Sequence, residues 1–159
     1  MNKFLSVLIL ISVVVGPAGG MERIVFNGVS LDVEMQPDPY YIPMSDNTVS
    51  LFSGPYEYGV LGFLAHNTLA GENFYSLKAG DRVYLHYRHE IVTFVVYDTV
   101  EYKNVDKTVL TDYEKENGEI VSTYKAYEEM YGGDHPFVLQ TCIYREGSYN
   151  WGRLFVLAE

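Results

Sequence analysis

The chain has 159 residues, room for one ordinary domain whose core needs no staples. Its formal charge is −10, which argues against nucleic acid and anionic lipid as partners, because phosphates are held by basic groups. One cysteine rules out an internal disulfide, and 15 tyrosines with many valines indicate a β-rich domain.

The N-terminus reads as a targeting segment. Lys3 supplies a positive start, Phe4 to Val15 an apolar stretch, and Pro17-Ala18-Gly19-Gly20 small residues suited to cleavage. The stretch is short for a bilayer span, which needs about 20 residues. Residues 1–20 are therefore expected to be a signal peptide, or an N-terminal anchor if uncleaved, and residues 21–159 a single secreted or extracytoplasmic domain. Membrane contact is expected only through that segment. Without residues 1–20 the charge becomes −11, from ten basic and 21 acidic side chains.

Strands are expected at Arg23–Phe26, Val29–Glu34, Gly62–Ala65, Arg82–Tyr87, Ile91–Val100, Phe137–Ile143 and Arg153–Ala158. Arg88-His89-Glu90 has the length of a hairpin connection, and Lys78-Ala79-Gly80-Asp81 the chemistry of a turn. One helical turn is expected within Asn67 to Leu77. A short helix is expected over Thr123–Met130, with Ser122 as N-cap and Gly132-Gly133 as the stop. The polar stretch 103–120 reads as a long surface loop or an exposed hairpin turning at Asn117-Gly118. Seven short strands with few helices suggest a closed or nearly closed barrel, an all-β fold.

A single thiol in an exported chain implies intermolecular pairing or a reactive sulfur, unless it is a small buried hydrophobe. Cys142 closes the apolar run Phe137-Val138-Leu139-Gln140-Thr141-Cys142, at a strand end where side chains meet solvent. A nucleophilic thiolate needs nearby positive charge and partial exposure. His66, just past the Gly62-Phe63-Leu64-Ala65 strand, can accept the thiol proton and later protonate a leaving amine. Arg153 can lie beside the sulfur if two antiparallel strands are joined by a loop over Tyr144–Trp151, where it would stabilise an oxyanion. Arg145 is nearer in sequence but falls in a Glu/Gly/Ser loop. His86, His89 and His135 fit a site less well. No metal or other cofactor is expected, since the acids Asp112, Glu114 and Glu116 form no ordered calcium loop.

The string from Leu64 through His66 to Leu77-Lys78-Ala79-Gly80-Asp81-Arg82-Val83 resembles the sortases, whose catalytic histidine precedes an "LK-x-GD-x-V" entry into the next strand. Val138-Leu139-Gln140-Thr141-Cys142 is similar to that family's "TLxTC" strand end, and Trp151-Gly152-Arg153-Leu154-Phe155-Val156 to its arginine strand. This chain has Ala65-His66-Asn67 in place of the commoner Gly-His, and Gln140 before Thr-Cys. The resemblance implies a closed eight-stranded β-barrel and a cysteine transpeptidase. Such an enzyme cuts a sorting motif in a secreted protein, keeps the acyl group as a thioester and passes it to an amine, here one on the cell envelope. It implies Cys142 as nucleophile, His66 as general acid/base, Arg153 as carbonyl clamp, and Thr141 as a residue that shapes the site or binds substrate. Two other readings stand beside it: a thiol protease using the same site, and a non-catalytic extracellular barrel that binds peptide or glycan.

Overall fold

The computed structural model describes residues 21–159; the expected signal peptide lies outside the described residues. The chain opens with a hairpin of β1 (Met21–Phe26) and β2 (Val29–Met35). Its turn, Asn27-Gly28, has φ of 46° and 80°, the left-handed pair that matches the twist of two-residue hairpins. There follow β3 (Thr48–Leu51), a helical turn α1 (Ser53–Tyr56), β4 (Leu61–Ala65) and a 3-10 helix over Ala70–Ser76. The second half holds β5 (Arg82–Tyr87), β6 (Glu90–Asn104), β7 (Asp112–Glu114), β8 (Ile120–Ser122), α2 (Thr123–Tyr131), β9 (Phe137–Arg145) and β10 (Ser148–Ala158).

Eight of these strands close on themselves. The order β10-β9-β4-β3-β2-β1-β5-β6 returns to its start because β6 also pairs with β10. The length of β6 makes closure possible: residues 90–95 pair with β5, and residues 96–103 with β10. Closure removes exposed sheet edges. The β7–β8 hairpin stands outside the ring, attached to the last rungs of β6 through Lys103↔Glu114 and Asn104↔Tyr113. The expected eight-stranded barrel is the fold observed, and the 103–120 stretch resolves into the hairpin alternative.

The barrel interior is filled by alternate residues of each strand. Phe137, Leu139 and Ile143 of β9 and Leu154, Val156 and Ala158 of β10 point inward with Ile24, Phe63, Phe74 and Val83. The residues between them, Val138, Phe155 and Leu157, are also buried, because Ala126, Met130 and Tyr131 of α2, Tyr113 of the hairpin and Tyr102 of β6 pack on that outer face. Burial on both faces accounts for the continuous apolar runs in β9 and β10. The Ser122 hydroxyl accepts from the Lys125 amide and starts α2, which ends at Gly132 as the cap chemistry predicts.

Two elements differ from the sequence reading. Strand β3 has four residues, too few to show an alternation against its polar neighbours. The joint between β9 and β10 is a two-residue turn at Glu146-Gly147, with φ of 54° and 75°, and the loop expected over Tyr144–Trp151 is largely strand. A register shift between Ser148 and Gly152 takes up the extra residues of β10 as a bulge.

Candidate active site

Strand pairing brings the three chemically distinctive residues together. Cys142 lies on the outer face of β9 and is partly exposed. Arg153 is its direct partner across the antiparallel β9–β10 ladder, and such partners have Cβ atoms about 4.5–5.5 Å apart. On the other side of β9 runs β4, in parallel, with Ala65 paired to Thr141. His66 is the next residue, so it leaves β4 level with Cys142. Sulfur, imidazole and guanidinium come from three neighbouring strands, about 4.8 Å apart each.

The backbone around His66 is tightly held. Its carbonyl accepts from the amides of Leu69 at 3.1 Å and Gly71 at 2.9 Å. The preceding carbonyl, of Ala65, accepts from the Thr141 hydroxyl at 2.8 Å. Gly71 is packed into this knot: a Cβ there would lie 2.3 Å from Thr141 Oγ1 and 2.7 Å from the His66 carbonyl. Thr141 is 2% exposed, so its hydroxyl is directed beneath the site, where it ties β4 to β9. The β9 side is fixed by the Tyr75 hydroxyl, which donates to the Cys142 carbonyl at 3.0 Å. Burial first, then the Glu101 carboxylate and Cys142, push the Tyr75 hydroxyl above its ordinary range, while Arg145 pulls it down.

Arg153 donates Nη1 to the Gly152 carbonyl at 3.0 Å and forms no ion pair among the described residues, which leaves its charge uncompensated by an acid. Arg145 is different. Three positions past Cys142, it projects from the opposite face of β9. It makes a two-pronged bond to Glu101 at 3.0 and 3.1 Å and stacks on Trp151 at 4.2 Å. It is therefore positioned on a strand, which corrects its expected place in a loop, and it is paired with an acid. His86 and His89 belong to the β5–β6 hairpin, well around the ring from β9, and His135 bonds to Tyr97.

An open groove of about 510 Å³ begins beside His66, lined by Asn67, Thr68, Glu72, Tyr75 and Tyr144. The ring of Tyr144 packs on Tyr149 at 4.6 Å. On the other flank, Arg153 faces Tyr102 of β6 across the sheet, and Tyr102 packs against Tyr113 of the hairpin at 6.0 Å. Gly71, Tyr75 and Tyr113 were not marked by any local pattern. Only the fold brings Tyr75 to the Cys142 carbonyl, Gly71 to Thr141 and the His66 carbonyl, and Tyr113 to Tyr102.

No family model matches the sequence, and no curated protein matches it. Solved structures do match over most of the chain. Sortase C1 of Streptococcus suis is 15% identical with a TM-score of 0.54, over 87% of this chain and 71% of that one. Sortase C1 of Streptococcus agalactiae is 17% identical with a TM-score of 0.56, over 89% and 67%. Sortase C-1 of Streptococcus pneumoniae is 16% identical with a TM-score of 0.53, over 86% and 64%. This chain has the sortase fold. It spans roughly two thirds of the length of those structures. At such identities the likeness is one of architecture, and the barrel here carries a cysteine and an arginine on adjacent strands and a histidine one residue past the end of a third. No helix of the described residues is long and apolar enough to cross a membrane.

Proposed function

We propose that the protein is an exported sortase-like cysteine transpeptidase. The observation that carries this reading is the register itself: Arg153 opposite Cys142, and His66 one residue beyond the Ala65–Thr141 pair. In this reading His66 takes the thiol proton, and the sulfur attacks the carbonyl carbon of a peptide bond in a secreted protein. The carbonyl electron pair moves to oxygen, where the Arg153 guanidinium balances it. Collapse of the tetrahedral species expels an amine, which takes its proton from the His66 imidazolium and leaves a thioester on Cys142. A second amine then attacks the thioester carbonyl and gives up a proton to His66; the C–S bond breaks, the Cys142 sulfur takes that proton back, and the new amide bond remains. Thr141 serves by fixing the strand beneath His66.

The peptide is read as a sorting motif and the acceptor as an amine of the cell envelope. Residues 1–20 deliver the domain there as a signal peptide or anchor. Arg153 suits its part because a planar guanidinium keeps its charge at every physiological pH and presents fixed donors.

The test is mass spectrometry of the protein and of Cys142→Ala after incubation with a peptide library. A thioester-linked acyl mass on the wild type, absent from the variant, is the expected result. An unmodified wild type across the library, or turnover retained by the variant, removes the reading. Adding small primary amines separates transfer from hydrolysis, since only transfer yields ligated product.

A further inference from the structure

Gln140 lies two residues before Cys142 on β9 and therefore on the same outer face, about 7 Å away along the strand. The ladders on both sides are regular here. Gln140 pairs with Leu64 of β4 and with Phe155 of β10, in the row next to that of Cys142 and Arg153. Leu64 and Phe155 are 6% and 4% exposed, whereas Gln140, like Cys142, is partly exposed. An amide thus stands in an otherwise apolar row, one row from the sulfur.

That amide is held in one orientation. The Tyr131 hydroxyl of α2 donates to Gln140 Oε1 at 2.6 Å, and the Tyr131 ring is locked at 1% exposure against Phe52 and Tyr127. With the oxygen bound to a fixed partner, Nε2 is set on the other side of the planar group. Among the described residues it donates to no protein group. A donor fixed in advance binds a ligand better than a mobile one, because its rotamer freedom is already lost.

The two ends of the site differ. Tyr144, two residues past Cys142, lines the open groove beside His66. His66 protonates the departing amine and deprotonates the incoming one, so the amine side of the reaction occupies that end. The acyl side is left with the opposite end of β9, where Gln140 stands before α2 covers the face.

We infer that Gln140 is a specificity-determining residue. Its Nε2 donates to a side-chain oxygen on the acyl side of the scissile bond, which selects peptides carrying a carbonyl or carboxylate side chain there. The inference rests on the thioester reading of Cys142 and names a part of the substrate which that reading leaves open. Serving Tyr131 requires only the Gln140 oxygen, which a glutamate also carries, and this separates the two roles.

The experiment ranks peptides against one another. The protein is incubated with a randomised peptide library, and the acyl groups trapped on Cys142 are read by mass spectrometry. A change in thiol reactivity or in the fold scales every peptide alike and leaves the ranking in place. In the wild type, acyl groups with Asn, Asp, Gln or Glu at one position should exceed those with Leu there about 10-fold. Gln140→Glu keeps an oxygen for Tyr131 and puts a carboxylate where the donor was, so the preference should disappear. Gln140→Met combined with Tyr131→Phe removes both ends of the bond, leaves no unpaired hydroxyl behind and should lose the preference too. A ranking shared by the wild type and both variants would overturn the inference. So would a wild type indifferent to side-chain oxygen at every position, or one preferring Lys or Arg. A wild type that traps no acyl group from any peptide would instead sink the thioester reading, and this subsite with it.

Discussion

Arg153 faces Cys142 directly across the β9–β10 ladder, and among the described residues its guanidinium bonds only to the carbonyl of Gly152, its own neighbour. A cation held by its own backbone is both aimed and unspent. Arg145, on the same hairpin, shows the alternative: its guanidinium is held by Glu101 and stacked on Trp151.

Arg153→Lys keeps the charge and loses the planar fork. Lysine is a point charge on a flexible stem, so the aim is lost while the field is partly kept. Thioester formation should fall about 100-fold, with stability within about 0.5 kcal/mol of the wild type. Single-turnover kinetics with a reactive peptide, together with urea unfolding, checks both numbers.

Thr141, Ala65 and Gly71 form the wedge that sets His66. Thr141→Val is nearly isosteric but leaves the Ala65 carbonyl without its bond, a loss of about 1–3 kcal/mol; Thr141→Ser keeps the hydroxyl and should retain most of it. Gly71→Ala forces a methyl to within 2.3 Å of Thr141 Oγ1, which overpacks the knot by about 1–3 kcal/mol and displaces the His66 carbonyl. Urea unfolding gives the stabilities. The chemical shifts of the His66 ring should move in Gly71→Ala and Thr141→Val and stay put in Thr141→Ser.

Acid should loosen the tie of α2 to Lys115 and Tyr102. Glu129 of α2 accepts from Lys115 at 2.8 Å and Tyr102 at 2.6 Å. Burial raises its carboxyl, but those two bonds outweigh it and hold the group below its ordinary 4.5. A lowered folded value stabilises the protein fully above pH 4.5 and is lost as pH falls through the folded value. Unfolding by urea between pH 3 and 7 should show wild type ahead of Glu129→Gln by about 1 kcal/mol at neutrality, the gap closing in acid. A gap independent of pH would mean that the ionised carboxylate contributes nothing.

Strands β1, β2, β4, β5 and β9, and helix α2 with its Ser122 cap, were legible because local physics decides them. Apolar runs, turn residues and caps act over a few positions. The pairing of His66, Cys142 and Arg153 was reachable through motif resemblance, and the ladder registers account for it physically. Elements set by distant partners escaped notice. Strand β3 exists because β2 and β4 accept it, and β10 begins early because a turn at Glu146-Gly147 lets it pair back on β9.

The order of residues along the chain thus determined an acidic, strand-rich domain with one thiol, because composition and short-range pattern are properties of the sequence itself. Closure of the eight strands, the pairing of Arg145 with Glu101 and the buried tie between Thr141 and Ala65 were decided by the tertiary structure. Each depends on which strand lies beside which, and that is settled by burying apolar faces across the whole barrel.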